Sequence, residues 1–221
     1  MALAIFDLDN TLLAGDSDHA WGQYLVERER VSTEAHQAAN DYFYRQYQAG
    51  TLDIHEYVEF VVSPLQVMTE HERQTLRNEF MEDVVAPMIA PGAPDLLQRH
   101  REQGDELIII TATIDFITRP IAEHLGIPHL IATLPETTLK NGETVFTGRI
   151  QGTPAFQHGK IKRLNAWLAE QPTRYDTHWF YSDSHNDLSL LCEVDHPVAV
   201  DPDDSLRREA EARVWPILSL R

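Results

Sequence analysis

The sequence predicts an open, doubly wound parallel α/β sheet with an all-helical insertion after its first strand. Three observations predict it. Short apolar runs recur along the chain: ALAIF (2–6), ELIIIT (106–111), HLIAT (129–133), HWFYS (178–182) and HPVAV (196–200). Each has strand length and is bounded by polar residues. Amphipathic helical segments separate the later runs, and strands alternating with helices give a parallel sheet covered on both faces. From 16 to 85 the strand texture disappears and apolar residues recur at helical spacing throughout.

The elements follow in order. ALAIF is a buried strand. The insertion reads as about four helices, seen in WGQYLVERERV, TEAHQAANDYFYRQYQAG, DIHEYVEFVV and TEHERQTLRNEFMEDVV. Ser32 or Thr33 can cap the second, Asp53 the third and Thr69 the fourth. After PMIAPGAP come a helix (PDLLQRHREQG), the strand ELIIIT, a helix (ITRPIAEHLG) and the extended HLIAT. TLKNGETVFTGRI is a hairpin with Asn141-Gly142 at its turn. The chain continues as helix HGKIKRLNAWLAEQ, strand HWFYS, short helix NDLSLLCEVD, strand HPVAVDP, helix DDSLRREAEA and last strand RVWPIL. Cys192, inside LSLLCEV, is expected in the core. The organisation expected is an α/β core (1–15 and 86–221) and a helical cap (16–85).

The chain has 221 residues and a net charge of -17. Such a balance excludes a nucleic-acid surface, which needs clustered Lys and Arg, and favours cations near any acidic cleft. A single cysteine forms no intrachain disulfide and fits a reducing compartment. Asp7 interrupts the first apolar run, so no signal peptide is expected, and no stretch reaches the ~18 apolar residues of a membrane span. A cytoplasmic monomer or homodimer is the expectation.

The chemistry gathers where strands end. In an open parallel sheet the ligand lies beyond the carboxyl ends of the strands. Asp7 and Asp9 follow the first strand, Thr111 ends ELIIIT, and Asp183 and Asp187 follow HWFYS. Gly159-Lys160 opens a helix just before the last of these. Carboxylates at Asp7 and Asp183 suit a hard cation such as Mg²⁺. Lys160 and the Thr111 hydroxyl suit a phosphate. One carboxylate can attack phosphorus covalently while its neighbour moves the proton. Any single Asp after a strand is more often a turn or helix cap; the ordered set carries the functional reading.

DLDNTLL, TATID, the lysine of HGK and SDSHND resemble the four motifs of the haloacid dehalogenase-like (HAD) hydrolases. The helical insertion resembles the cap of the phosphoserine phosphatase-like subfamily. The resemblance implies a Rossmann-like core and an Mg²⁺-dependent phosphomonoesterase. In that scheme Asp7 is the phosphorylated nucleophile and Asp9 the general acid/base. Thr111, Lys160 and backbone at Leu8 and Ala112 hold the phosphoryl group. Asp7, the Asp9 carbonyl and Asp183 hold Mg²⁺, with Asn186 and Asp187 in support. Two departures stand out. Ala112 and Thr113 replace the usual glycines, and Ser184-His185 replaces a glycine-containing loop.

The same resemblance bears on the substrate. Asp16 falls where phosphoserine phosphatases carry the acid that binds the substrate ammonium, and Asp18 lies beside it. Both could equally cap the following helix. Val61 falls where those enzymes carry an arginine for the substrate carboxylate, and no Lys or Arg occurs from 46 to 72. A phosphorylated amino alcohol without a carboxylate, such as L-histidinol phosphate, is therefore the expected substrate, with the cap aromatics available to stack on an imidazole. Phosphoserine is the alternative, kept open by Arg45. Phosphotransfer, or phosphate binding without turnover, stands behind it.

Overall fold

A computed structural model describes residues 1–140 and 142–221, apart from the Thr33 side chain, so Asn141 of the expected turn lies outside the described residues. A six-stranded sheet forms the centre. Its strands are β1 (Ala2–Phe6), β2 (Glu106–Ile114), β3 (His129–Thr133), β6 (Thr177–Ser182), β7 (His196–Val200) and β8 (Ile217–Leu218). The order is β3-β2-β1-β6-β7-β8 and every pairing is parallel. Alternate β1 residues serve opposite faces. Ala4 and Phe6 join one apolar cluster, while Leu3 and Ile5 join the other. Both faces are therefore dry, which explains why the central strands read as unbroken apolar runs.

The helices of the insertion are α1 (Ser17–Glu27), α2 (Thr33–Gln48), α3 (Ile54–Gln66) and α4 (Glu70–Phe80). Asp53 caps α3 by accepting from His55 N and Glu56 N. Thr69 and Glu72 form a reciprocal capping box on α4. Ser32 occupies the cap position of α2 without a side-chain bond. A wide turn (Met81–Val85) and a short helix α5 (Ala86–Met88) lead back toward the sheet. There α6 (Ala93–Gln103), α7 (Asp115–His124), α8 (His158–Glu170), α9 (Leu188–Leu191) and α10 (Asp204–Arg213) alternate with the strands.

The hairpin β4 (Pro135–Lys140) and β5 (Glu143–Ile150) is a separate antiparallel sheet. It lies against α3 and α4, where Gln66 donates to Phe146 O and Arg73 donates to Thr144 O at 2.6 Å.

Two expectations are corrected. β2 does not stop at Thr111 but runs to Ile114, with a register shift between Ile110 and Ile114. Cys192 is exposed rather than in the core. The helix before it is only one turn long, so Leu190 and Leu191 take the buried positions and Cys192 turns outward.

Candidate active site

The first strand delivers Asp7 at its end, where its N–H still donates to Tyr181 O. The chain then makes one wide turn, Leu8–Leu12, closed by Leu13 N donating to Leu8 O. Asn10 sits in the left-handed region (φ 55°), which asparagine adopts more readily than most residues. This turn brings Asp9 round toward α1. Leu8 has a fully buried side chain, so only its backbone can face a ligand.

Lys160 joins the two carboxylate motifs. Its Nζ donates to Asp7 Oδ1 at 2.8 Å and to Asp187 Oδ2 at 2.6 Å. The ammonium is almost wholly buried. Burial alone would push its pKa down, yet Asp187 and Asp7 together hold it above the usual lysine value. Ser182 Oγ also donates to Asp187 Oδ2, fixing that carboxylate. Asp183 is tied to the first motif through Thr11: Thr11 Oγ1 donates to Asp183 Oδ1 and accepts from Asp183 N.

Asp9 is held on both oxygens. Oδ1 accepts from Ser17 N and Ser17 Oγ, each at 2.6 Å, and Oδ2 accepts from Thr113 Oγ1 at 2.7 Å. Burial pushes this carboxyl up to about 6, helped by Asp16 and opposed by the Ser17 and Thr113 bonds. Burial likewise pushes Asp7 up to about 7, against the pull of Lys160.

A cleft opens beside these groups. Asp7, Asp9, Thr111, Ala112 and Thr113 form its floor, and Asp16, Asp18, His19, Asn40, Phe43, Tyr44 and Tyr57 are among its walls. No Lys or Arg lines it, among the described residues. Both expected roles of Asp16 coexist: it caps α1 by accepting from His19 N and also faces the cleft. Val61 lies behind Asp18, with Trp21 and Phe60, in a small neighbouring cavity. Arg45, which keeps the phosphoserine alternative open, is exposed and is not among the residues lining the cleft. Asp183 borders a second opening, with Asn10, Ser184 and Arg221. Asn186 Nδ2 donates to Tyr47 O and its Oδ1 accepts from Gln157, tying its loop to the end of α2. His185, in the loop that replaces the glycine-containing one, is half-buried, its ring bonding the Asp203 carboxylate.

The residues fit a Mg²⁺ ion. Asp7 Oδ2 is buried with no partner. Burial and the charges of Asp7 and Asp187 push Asp183 well above the carboxylate range. A divalent cation would relieve both. Among the described residues no three His, Cys, Asp or Glu side chains cluster as a metal cage. Two carboxylates with retained waters are what Mg²⁺ accepts.

Sequence reasoning missed Thr11, Ser17, Ser182 and Thr113 as working parts. Their signal was modest: each is a hydroxyl residue within or beside an acidic motif, a place where turn and cap roles are equally common.

A family model described as haloacid dehalogenase-like hydrolase matches residues 4–191. A protein of Neisseria meningitidis serogroup C (strain 8013) named histidinol-phosphatase is 44% identical over 222 residues, covering 99% of each chain. A solved structure of a protein of unknown function from Bordetella pertussis Tohama I matches with TM-score 0.90 and 39% identity, covering 100% of this chain and 99% of that one. A substrate-bound phosphoserine phosphatase shares the fold, with TM-score 0.69 and 15% identity over 98% of this chain and 92% of its own.

Proposed function

The chain belongs to the haloacid dehalogenase-like hydrolases and is a phosphatase of that family, and from this premise we propose that it cleaves a small phosphate monoester whose alcohol carries an amine, best fitted by L-histidinol phosphate. The observation that carries the substrate reading is the cleft lining. Asp7 and Asp9 stand at the floor, Asp16 and Asp18 on the wall, with aromatic rings around them and, among the described residues, no Lys or Arg for a substrate carboxylate. A carboxylate buried there without a bidentate partner would lose about 2–5 kcal/mol. The name of the Neisseria meningitidis relative agrees with this reading.

In the mechanism, Asp7 attacks phosphorus and forms an aspartyl-phosphate as the ester P–O bond breaks. Asp9 gives its proton to the departing alkoxide. It then takes a proton from the water that attacks phosphorus, releasing phosphate and the free Asp7 carboxylate. Lys160 and Thr111, with backbone at Leu8 and Ala112, hold the phosphoryl oxygens. Asp7, Asp183 and the Asp9 carbonyl would hold Mg²⁺, with Asn186 and Asp187 supporting it. Bound there, the ion neutralises charge developing on the phosphoryl group. Residues 16–85 act as a cap over the core (1–15 and 86–221) and exclude water from the closed cleft.

The test is a panel of phosphate esters, assayed with and without Mg²⁺, that includes L-histidinol phosphate and L-phosphoserine. Preference for L-histidinol phosphate is expected, with loss of turnover on chelation. Preference for L-phosphoserine would overturn the substrate assignment and leave the mechanism standing.

A further inference from the structure

We propose that Thr113 is a positioning residue for proton transfer by Asp9, and that Asp9 exchanges its proton with the substrate through Oδ2. The inference rests on the phosphatase mechanism above. It comes from the unequal partners of the two Asp9 oxygens. Oδ1 accepts from a backbone N–H and a hydroxyl of Ser17, both at 2.6 Å. The Ser17 N–H fills one lone-pair direction of Oδ1 and the Ser17 hydroxyl the other, so neither direction of Oδ1 is open toward a substrate. Oδ2 faces a single hydroxyl, that of Thr113, at 2.7 Å. A carboxyl oxygen has two lone-pair directions, and a hydroxyl can donate or accept. Thr113 therefore keeps Oδ2 partnered in either protonation state and leaves its second direction for the proton.

The two anchors come from different parts of the chain. Ser17 opens α1, the first helix of the insertion, whereas Thr113 lies on the bulged end of β2. The register shift there gives Thr113 its position. Its N–H donates to Thr111 Oγ1, and its side chain reaches the cleft. An alanine or glycine would leave Oδ2 free to rotate about the Ser17 bonds. The proton moves as follows. As Asp7 bonds to phosphorus and the ester P–O bond breaks, the Oδ2 proton passes to the ester oxygen. Oδ2 later recovers a proton from the attacking water as the Asp7–phosphorus bond breaks.

Leaving-group dependence separates this role from a structural one. An alkyl alcohol needs the proton to depart, whereas p-nitrophenolate does not. Thr113→Val and Thr113→Ser are compared with wild type on L-histidinol phosphate, L-phosphoserine and p-nitrophenyl phosphate. Water attack on the Asp7 phosphoryl group is the same step for every ester, so the comparison is made on release of the alcohol or phenol in the first turnover at saturating ester. For Thr113→Val, first-turnover release is expected to fall by roughly 10²-fold on the alkyl esters and by less than about fivefold on p-nitrophenyl phosphate. Thr113→Ser should restore the alkyl-ester rate to within about fivefold. An equal first-turnover loss on all three esters, no loss on the alkyl esters, or no rescue by serine would overturn the assignment. Asp7→Asn is run in parallel. Retained turnover in that variant would overturn the underlying mechanism instead, whatever Thr113 does.

Discussion

Lys160 Nζ lies 2.8 Å from Asp7 Oδ1 although 153 positions separate the two residues. Both side chains are buried, at 2% and 4% exposure, and Asp187 shares the ammonium. Removing one member of such a cluster strands buried charge and typically costs about 3–5 kcal/mol. Lys160→Ala should therefore lose turnover and stability together, read as a lower urea midpoint at unchanged slope in metal-free buffer. An unchanged midpoint would mean the cluster is not a buried charge assembly.

Gly159 sets where Lys160 stands. A Cβ built on it would lie 2.0 Å from the Pro154 carbonyl oxygen, which is backbone and cannot rotate aside. Gly159→Ala must push the first turn of α8 away from the 154 carbonyl, carrying Lys160 off Asp7. The expected outcome is a loss of about 1–3 kcal/mol in stability and a large fall in kcat. A variant with wild-type stability and turnover would show that this turn is free to shift.

The difference between what could and could not be read from sequence has a physical basis. Strands such as ALAIF and HLIAT were legible because a sheet covered on both faces needs unbroken apolar runs. Asp7, Asp183 and Asp187 were legible because carboxylates at strand ends are costly without a task, and Lys160 because it opens a helix just before the last of them. Ser17 and Thr113 were not, since a hydroxyl beside a strand or helix end usually serves a local turn. Arg73 illustrates the tertiary limit. Nothing in the local pattern of α4 marks it, yet its guanidinium is buried and donates to Leu65 O, Met68 O and Thr144 O, fastening the hairpin to α3 and α4. Cys192 failed the other way: an apolar run promised a core position that a one-turn helix could not supply.

Asp16 gives a pH dependence. Burial pushes its carboxyl up to about 6, with the charge of Asp7 adding to it, against donation from His19 N and Asp18 N. A raised carboxyl is ionised only above that value, so its attraction for an ammonium is present at pH 7.5 and lost below about 6. KM for L-histidinol phosphate should rise as pH falls below about 6, by up to roughly tenfold per unit. An ester without an amine, such as glycerol 2-phosphate, shares the phosphate's own titration and isolates the Asp16 contribution. Asp16→Asn should erase the difference between the two profiles. Parallel profiles in wild type would remove Asp16 from amine recognition.

Asp18 should trade stability for recognition. Its Oδ1 is buried with no partner, and burial plus the charges of Asp16 and Asp9 push its carboxyl well above the ordinary range. For an acid raised in the folded state, the favourable contribution exists below the unfolded carboxylate value near 4 and is lost as pH climbs through the folded one. Ionised Asp18 therefore destabilises the empty cleft at neutral pH. Asp18→Asn keeps the shape and removes the charge, and should stabilise the protein by about 1–3 kcal/mol at pH 8. The gain should shrink toward pH 4, where the native carboxyl is already neutral. The same substitution should raise KM for an amine-bearing ester while leaving kcat on p-nitrophenyl phosphate within about twofold. Stability curves that do not separate between the two pH values would show that Asp18 is not carrying an uncompensated charge.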